Sequence, residues 1–191
     1  MIAMFNEIYK RLTRLILVPG ETWEKLSRQE EKQQTFLSRF IYPVIGLITL
    51  AAFLGVLFTR KEFDFEIALK ITIRTFLSVS GGFFLGAYIL NEVWKGAFKQ
   101  AGNTDLCRMF VGYSSALMFV LNIVTALLPE FFFLNIVVLY TVYIIWEGTV
   151  IFMKANEKQR LKVTIITFFI VIVTPFVIEQ VLRMLMPGFR I

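Results

Sequence analysis

The sequence predicts an all-α polytopic integral membrane protein: a five-transmembrane-helix bundle preceded by interfacial amphipathic helices. Of its 191 residues, 57% are hydrophobic and 18% are charged, whereas soluble domains average about 45–50% and about 25%. Five apolar runs are each long enough to cross the hydrocarbon layer as a helix. None alternates as a barrel strand does, so helices are the structures that satisfy the backbone in lipid.

The first element is an amphipathic segment over residues 1–39, which we expect to lie at the cytoplasmic face. Apolar side chains recur at helical spacing over residues 2–16, and polar side chains fill the opposite face. Pro19-Gly20 ends this helix, and a second, more polar helix is predicted over residues 21–36. Two roles stay open, packing on the bundle or membrane surface and docking of a protein partner.

The membrane domain is predicted over residues 40–186 and is followed by a short external tail at 187–191. Only Pro129 and Glu130 separate the third apolar run from the fourth, which predicts a tight antiparallel hairpin. The five predicted spans are 40–59, 71–94, 109–128, 131–153 and 163–186.

The distribution of basic residues predicts the orientation. Of the 20 Lys and Arg residues, fourteen fall on the side of the N-terminus and six on the other side. The positive-inside rule then places the N-terminus in the cytoplasm and, after five crossings, the C-terminus outside. The net charge of +6 favours contact with anionic lipid headgroups at the cytoplasmic face. It does not indicate nucleic acid, since no basic aromatic patch stands free of the membrane.

Polar residues recur in the cytoplasmic halves of three spans. Glu147 lies about six residues, or about 9 Å along a helix, from the end of the fourth span. Tyr113 lies one to two turns into the third span, and Asn91 and Glu92 end the second. We hypothesise that these residues form one cluster, in which Glu147 is hydrogen-bonded by Tyr113 or Asn91 or is kept protonated. The alternative is that Glu147 reaches water or packs at the helix end.

The second span carries a small-residue stripe. Ser78, Gly82 and Gly86 recur every four residues, which lets another helix approach closely. Packing within the chain is one use of this stripe, and a homo- or hetero-oligomer is the other.

The chemistry of an enzyme is not evident. Cys107 is the single cysteine and there is no histidine, so neither a disulfide within the chain nor the commonest general base is offered. The sequence has no metal-ligand spacing, no phosphate-binding loop and no nucleophile with a base at motif spacing. We therefore expect no catalytic residues, no cofactor and no metal.

Two short motifs resemble the Yip family, integral membrane proteins that interact with Ypt/Rab GTPases in eukaryotes and have prokaryotic relatives. Residues 110–114 read Phe-Val-Gly-Tyr-Ser, similar to the Gly-Tyr motif that enters the third span in that family. Pro19 and Trp23 resemble the Pro-x-x-x-Trp segment before the first span of prokaryotic members. Residues 40–43 read Phe-Ile-Tyr-Pro where eukaryotic members have Asp-Leu-Tyr-Gly-Pro. The resemblance implies a protein of the prokaryotic plasma (inner) membrane and carries over no activity.

The function expected from the resemblance and the residues together is a non-enzymatic membrane scaffold or adaptor that engages a protein or lipid partner at the cytoplasmic face. Its binding residues would be Gly112 and Tyr113, with Tyr42 and Pro43 at the neighbouring entry of the first span. The alternative is a small carrier or channel, alone or as an oligomer, with a cytoplasm-facing polar cavity around Glu147.

Overall fold

The computed structural model describes residues 2–29, 31–59 and 64–185, and every regular element in these ranges is helical. The predicted all-α fold is confirmed. The helices are α1 Ile2–Leu17, α2 Pro19–Arg28, α3 Gln33–Thr59, α4 Phe65–Gly96, α5 Thr104–Ser114, α6 Ala116–Leu127, α7 Pro129–Ile151 and α8 Glu157–Leu185.

Four of these helices, α3, α4, α7 and α8, are each long and apolar enough to cross a membrane, and the bent pair of α5 and α6 makes a fifth candidate span. The helical membrane bundle is thereby confirmed. The third span differs from a straight helix, because α5 and α6 meet at an angle of 46°. At the bend the Ser115 hydroxyl donates to the Val111 carbonyl at 2.7 Å, as expected where a serine back-bonds within a helix and bends it.

The N-terminal segment departs from its predicted boundaries. The single helix predicted over 21–36 is wrong, since α2 ends at Arg28 and a new helix begins at Gln33. Pro19 is the first residue of α2, a position where the missing N–H costs nothing. From Gln33 the chain runs without a break into the first span, through one π-helical turn at Leu37–Ile41. The predicted end of the fifth span at 186 and the tail at 187–191 lie outside the described residues.

The first half of α7 is unusual in its hydrogen bonding. Pro129–Tyr140 is 3₁₀-helical with no buried side chain and is kinked at Phe131, whose backbone angles (φ −85°, ψ 20°) are not helical. The α-helical part begins at Thr141. A 3₁₀ helix rises about 2.0 Å per residue, against about 1.5 Å for an α-helix. The 3₁₀ segment that follows the hairpin between α6 and α7 therefore covers a greater length per residue than an α-helix would.

One hydrophobic core joins the N-terminal helices to the spans. Leu15 of α1 and Trp23 of α2 are fully buried, together with Phe36, Phe110 and Ile144 from the membrane helices. Helix α1 packs against α6, and α2 packs against the α-helical half of α7. The amphipathic segment thus contributes to the centre of the fold.

Small residues set the closest helix crossings. The Ser78 hydroxyl donates to the Pro175 carbonyl at 2.8 Å, and a Cβ at Gly82 would lie 2.5 Å from Cγ of Pro175. Gly86 faces Ile170 of the same helix. The small-residue stripe of α4 therefore lies against α8 within the chain. At a second crossing, a Cβ at Gly55 would lie only 1.9 Å from the Ala126 carbonyl oxygen.

Candidate functional site

Tyr113 lies at the centre of a network that ties the N-terminal segment to the third span. Arg11 Nη1 donates to the Tyr113 hydroxyl at 2.7 Å, and that hydroxyl donates to Glu31 Oε2 at 2.6 Å. Arg11 Nη1 also donates to both carboxylate oxygens of Glu31, at 3.0 and 3.1 Å. We call these three residues the Arg11–Glu31–Tyr113 cluster. Each of the three side chains is hydrogen-bonded to the other two.

Burial makes this cluster sensitive to the loss of any member. Tyr113 is 1% exposed, and the Arg11 and Glu31 side chains are 17% and 13% exposed. Burial disfavours the Arg11 charge, but the oxygens of Tyr113 and Glu31 outweigh it, so the pKa of Arg11 lies above its ordinary value. The guanidinium also lies over the Phe40 ring, 5.8 Å from its centre. Removing Arg11 or Glu31 would leave the charge of the other, which is partly buried, with few groups to compensate it.

Gly112 shapes the surroundings of the cluster. A Cβ at this position would lie 2.6 Å from Cζ of Phe36 and 2.8 Å from Cδ1 of Ile41. Glycine therefore lets the first turns of α3 pack directly on α5. The Phe36 ring then packs edge-to-face on Tyr113, with centroids 4.8 Å apart.

Trp23 docks α2 on the fourth span. Its Nε1 donates to the Ile144 carbonyl at 2.8 Å, and a Cβ at Gly148 would lie 2.4 Å from Cε2 of the ring. The same ring packs against Phe110 and Tyr113, at centroid distances of 5.3 and 6.0 Å. Trp23 thus lies between Tyr113 and α7.

The predicted hydrogen bond from Tyr113 to Glu147 is wrong. The single proton of the Tyr113 hydroxyl goes to Glu31, and Trp23 separates the tyrosine from α7. Glu147 is 25% exposed and its Oε1 lies 3.9 Å from Nη2 of Arg160. The Arg160 guanidinium is stacked 4.2 Å from the Trp146 ring centre. Glu147 therefore has an ion-pair partner, Arg160, at the end of its own span.

Asn91 does not bond to Glu147 either. Its amide nitrogen lies 3.5 Å from Glu92 Oε1, and its buried Oδ1 has no hydrogen-bond partner in the part of the chain that the structure describes. Glu92 pairs with Lys95 on the same helix. The polar residues of the three spans therefore do not form one hydrogen-bonded cluster.

Tyr42 and Pro43 follow the π-helical turn of α3. Tyr42 is 53% exposed, whereas Ile41, the preceding residue, packs on Gly112. The predicted entry of the first span thus stands beside the Gly112 motif, with the Tyr42 side chain turned outward.

Two cavities lie near polar groups. A recess of about 190 Å³ opens beside Glu31 and Tyr113 and has Lys154 on its lining. A larger cavity of about 800 Å³ lies among α3, α4, α6, α7 and α8. Its lining includes Arg74, Glu179 and Arg183 and does not include Glu147. The described residues contain no group of three or more His, Cys, Asp or Glu placed to hold a metal.

Sequence reasoning missed Arg11 and Glu31 as members of the site. Arg11 stands on the polar face of an amphipathic helix, and such a position ordinarily faces solvent. Glu31 follows α2 in a short connection with no motif of its own. The available signal was indirect: Trp23 in the Pro-x-x-x-Trp segment and Tyr113 in the Gly-Tyr motif both need partners when buried.

The comparisons with known proteins agree with the resemblance found in the motifs. The family model described as the Yip1 domain matches residues 13–178, most of the chain and all five candidate spans apart from the end of α8. No curated protein and no solved structure matches the chain.

Proposed function

The chain belongs to the Yip1 domain family, and on that premise we propose that it is a non-enzymatic membrane scaffold that engages a protein or lipid partner at its cytoplasmic face. The observation that carries the proposal is the Arg11–Glu31–Tyr113 cluster. Its polar groups bond to one another and hold the N-terminal segment against α5, which would fix the shape of a binding surface. We call this set of contacts the latch. A reactive centre needs a group left available for substrate.

The proposed surface is composite. Helices α1 and α2 pack on α6 and α7, so the N-terminal segment and the membrane helices present one continuous face. The recess beside Glu31 combines a carboxylate and Lys154 with the apolar side chains of Leu26 and Met109. A partner side chain with an apolar stem and a polar end would fit such a lining.

The proposed setting is the prokaryotic plasma membrane, with the N-terminus in the cytoplasm and the C-terminus outside. Support comes from the fourteen-to-six division of Lys and Arg residues and from the prokaryotic form of the Pro-x-x-x-Trp segment. In this orientation the recess and the cluster face the cytoplasm.

The test is a substitution that fills the recess with a large side chain and leaves the Arg11–Glu31–Tyr113 cluster unchanged. Ser27 lines the recess, and its hydroxyl donates to the Glu24 carbonyl of its own helix. Protein extracted in its native lipids, without detergent exchange, is analysed by mass spectrometry for molecules bound in near-stoichiometric amounts. We expect Ser27→Trp to lose the bound partner several-fold and Ser38→Trp, at another exposed serine in the first turns of α3, to keep it. Equal retention by both variants, or no bound partner in wild type, would overturn the proposal.

A carrier or channel is the second candidate, and the cavity of about 800 Å³ is the observation that favours it. Its polar lining includes Asn122 and Asn135 as well as Arg183. Vesicles containing the purified protein would be tested for chloride and potassium flux. Flux above that of empty vesicles, reduced by Arg183→Gln, would support a carrier, and the scaffold function predicts no such flux.

A further inference from the structure

An apolar groove runs between the amphipathic helix α1 and the membrane helices α3 and α6. Its volume is about 450 Å³, within the range of about 300–1,000 Å³ that ligand pockets occupy. Ile8, Leu12 and Ile16 line it from α1, and Leu47 and Val124 are among the residues that line it from the spans. Because those last residues belong to candidate membrane spans, the groove reaches the depth of the lipid chains.

Two exposed cations, Lys10 and Arg14, lie about one helical turn apart on α1, next in sequence to residues that line this groove. Tyr9 and Thr13 form its rim on α1, and Lys10 and Arg14 are the next residue after each, both exposed. Neither Lys10 nor Arg14 makes an ion pair within the described residues. Arg11, the other cation of this stretch, is held inside by the cluster.

We propose that the groove binds one anionic phospholipid, with an acyl chain between α1 and the spans and the headgroup on Lys10 and Arg14. The apolar lining excludes a polar ligand, and the adjacent pair of cations selects a negative headgroup over a zwitterionic one. The site is separate from the recess beside Glu31, so it does not rest on the proposed scaffold function.

The first test measures headgroup selectivity. The protein is placed in vesicles of phosphatidylcholine with 20% phosphatidylglycerol by moles, a composition of roughly physiological charge. Either lipid carries a photoreactive group on one acyl chain, and the labelled peptides are mapped by mass spectrometry. We expect peptides that contain Val120 and Val124 to be labelled at least about fivefold more by the anionic lipid.

The control removes the same charge elsewhere. In the double variant Lys10→Gln and Arg14→Gln the anionic preference should be lost. In the double variant Lys158→Gln and Lys162→Gln, two exposed cations away from the groove, it should remain. Equal labelling by the two lipids in wild type, or a preference unchanged by loss of Lys10 and Arg14, would overturn the proposal.

A second variant tests the groove itself. Thr13→Trp places a large ring at the rim, and the cluster and Trp23 still hold α1 and α2 in place. We expect labelling of the groove by both lipids to fall several-fold at an unchanged thermal-unfolding midpoint. Full labelling by the anionic lipid in this variant would show that the lipid lies on the outer surface of the protein and would contradict the groove site.

Discussion

At the scale of residues, one hydroxyl group connects the N-terminal segment to the third span, since the Tyr113 hydroxyl accepts from Arg11 and donates to Glu31. The Gly-Tyr motif singles out Gly112 and Tyr113. In the structure Gly112 packs closely against α3, and the Tyr113 hydroxyl is hydrogen-bonded to Glu31. The partner could not be predicted, because spacing along a helix says which residues share a face and nothing about which distant helix covers it. Arg11 lies 102 residues from Tyr113 in the chain.

Tyr113→Phe tests the latch with the smallest possible change. It removes the hydroxyl that links Arg11 to Glu31 and keeps the ring that packs on Phe36. Hydrogen bonds to charged groups contribute about 1.5–3 kcal/mol. We expect a loss of about 2 kcal/mol, or a fall of roughly 4–8 °C in the thermal-unfolding midpoint in lipid nanodiscs. Tyr42→Phe, at an exposed tyrosine, serves as the control and should leave the midpoint unchanged.

Gly148→Ala tests the docking of Trp23. The added methyl group would lie 2.4 Å from the ring, so either the ring or α7 has to move. Overpacking of this kind costs about 1–3 kcal/mol, and we expect the midpoint to fall accordingly. Gly96→Ala makes the same change at a helical glycine with nothing within 4 Å and should be neutral. Equal midpoints for the two variants would mean that Trp23 is not held as described.

At the scale of elements, hydropathy locates the spans within a few residues and leaves their internal geometry open. The predicted run 71–94 lies inside α4, and the run 131–153 nearly coincides with α7. The 46° bend between α5 and α6, the π-helical turn in α3 and the 3₁₀ half of α7 were not predicted. Each is a local change in the pattern of backbone hydrogen bonds, and the spacing of apolar residues carries almost no information about that pattern.

Gly55→Ala tests a crossing that sequence analysis did not single out. Its Cβ would lie 1.9 Å from a backbone oxygen at Ala126, and backbone cannot step aside as a flexible side chain can. We expect α3 and α6 to separate, with a loss of about 3 kcal/mol or more. Gly46→Ala, on the same helix with nothing within 4 Å, should behave as wild type. Yield of folded protein and the unfolding midpoint report the difference.

At the scale of the whole molecule, the amphipathic segment and the spans form one body. The sequence predicts a division at residue 40, where the charged segment gives way to the first apolar run. Composition follows that division, but packing crosses it, since Leu15 and Trp23 belong to the same core as Phe110 and Ile144. Amphipathicity shows that a helix has a face to bury, and it does not say whether lipid or protein will bury it.

The topology is testable through single cysteines on a Cys107→Ser background. Ser27 and Lys158 lie on the predicted cytoplasmic side and Glu130 in the hairpin outside, and all three are exposed. A membrane-impermeant maleimide added to intact cells should label Glu130→Cys. It should label Ser27→Cys and Lys158→Cys only after the membrane is opened. Labelling of Ser27→Cys in intact cells would reverse the orientation, and equal behaviour of Lys158→Cys and Glu130→Cys would mean that α7 does not cross.

The long chain separation between α2 and its partner has a consequence for synthesis. Trp23 bonds to Ile144, 121 residues later, and a ribosome adding about 5–20 residues per second needs roughly 6–24 s to reach it. For that time α1 and α2 are made but have no fourth span to dock on. We expect them to rest on the membrane surface meanwhile, which their amphipathic faces permit. Closure of the latch is then a late step of assembly, and a nascent chain stopped before Ile144 would be expected to keep its N-terminal helices open to protease.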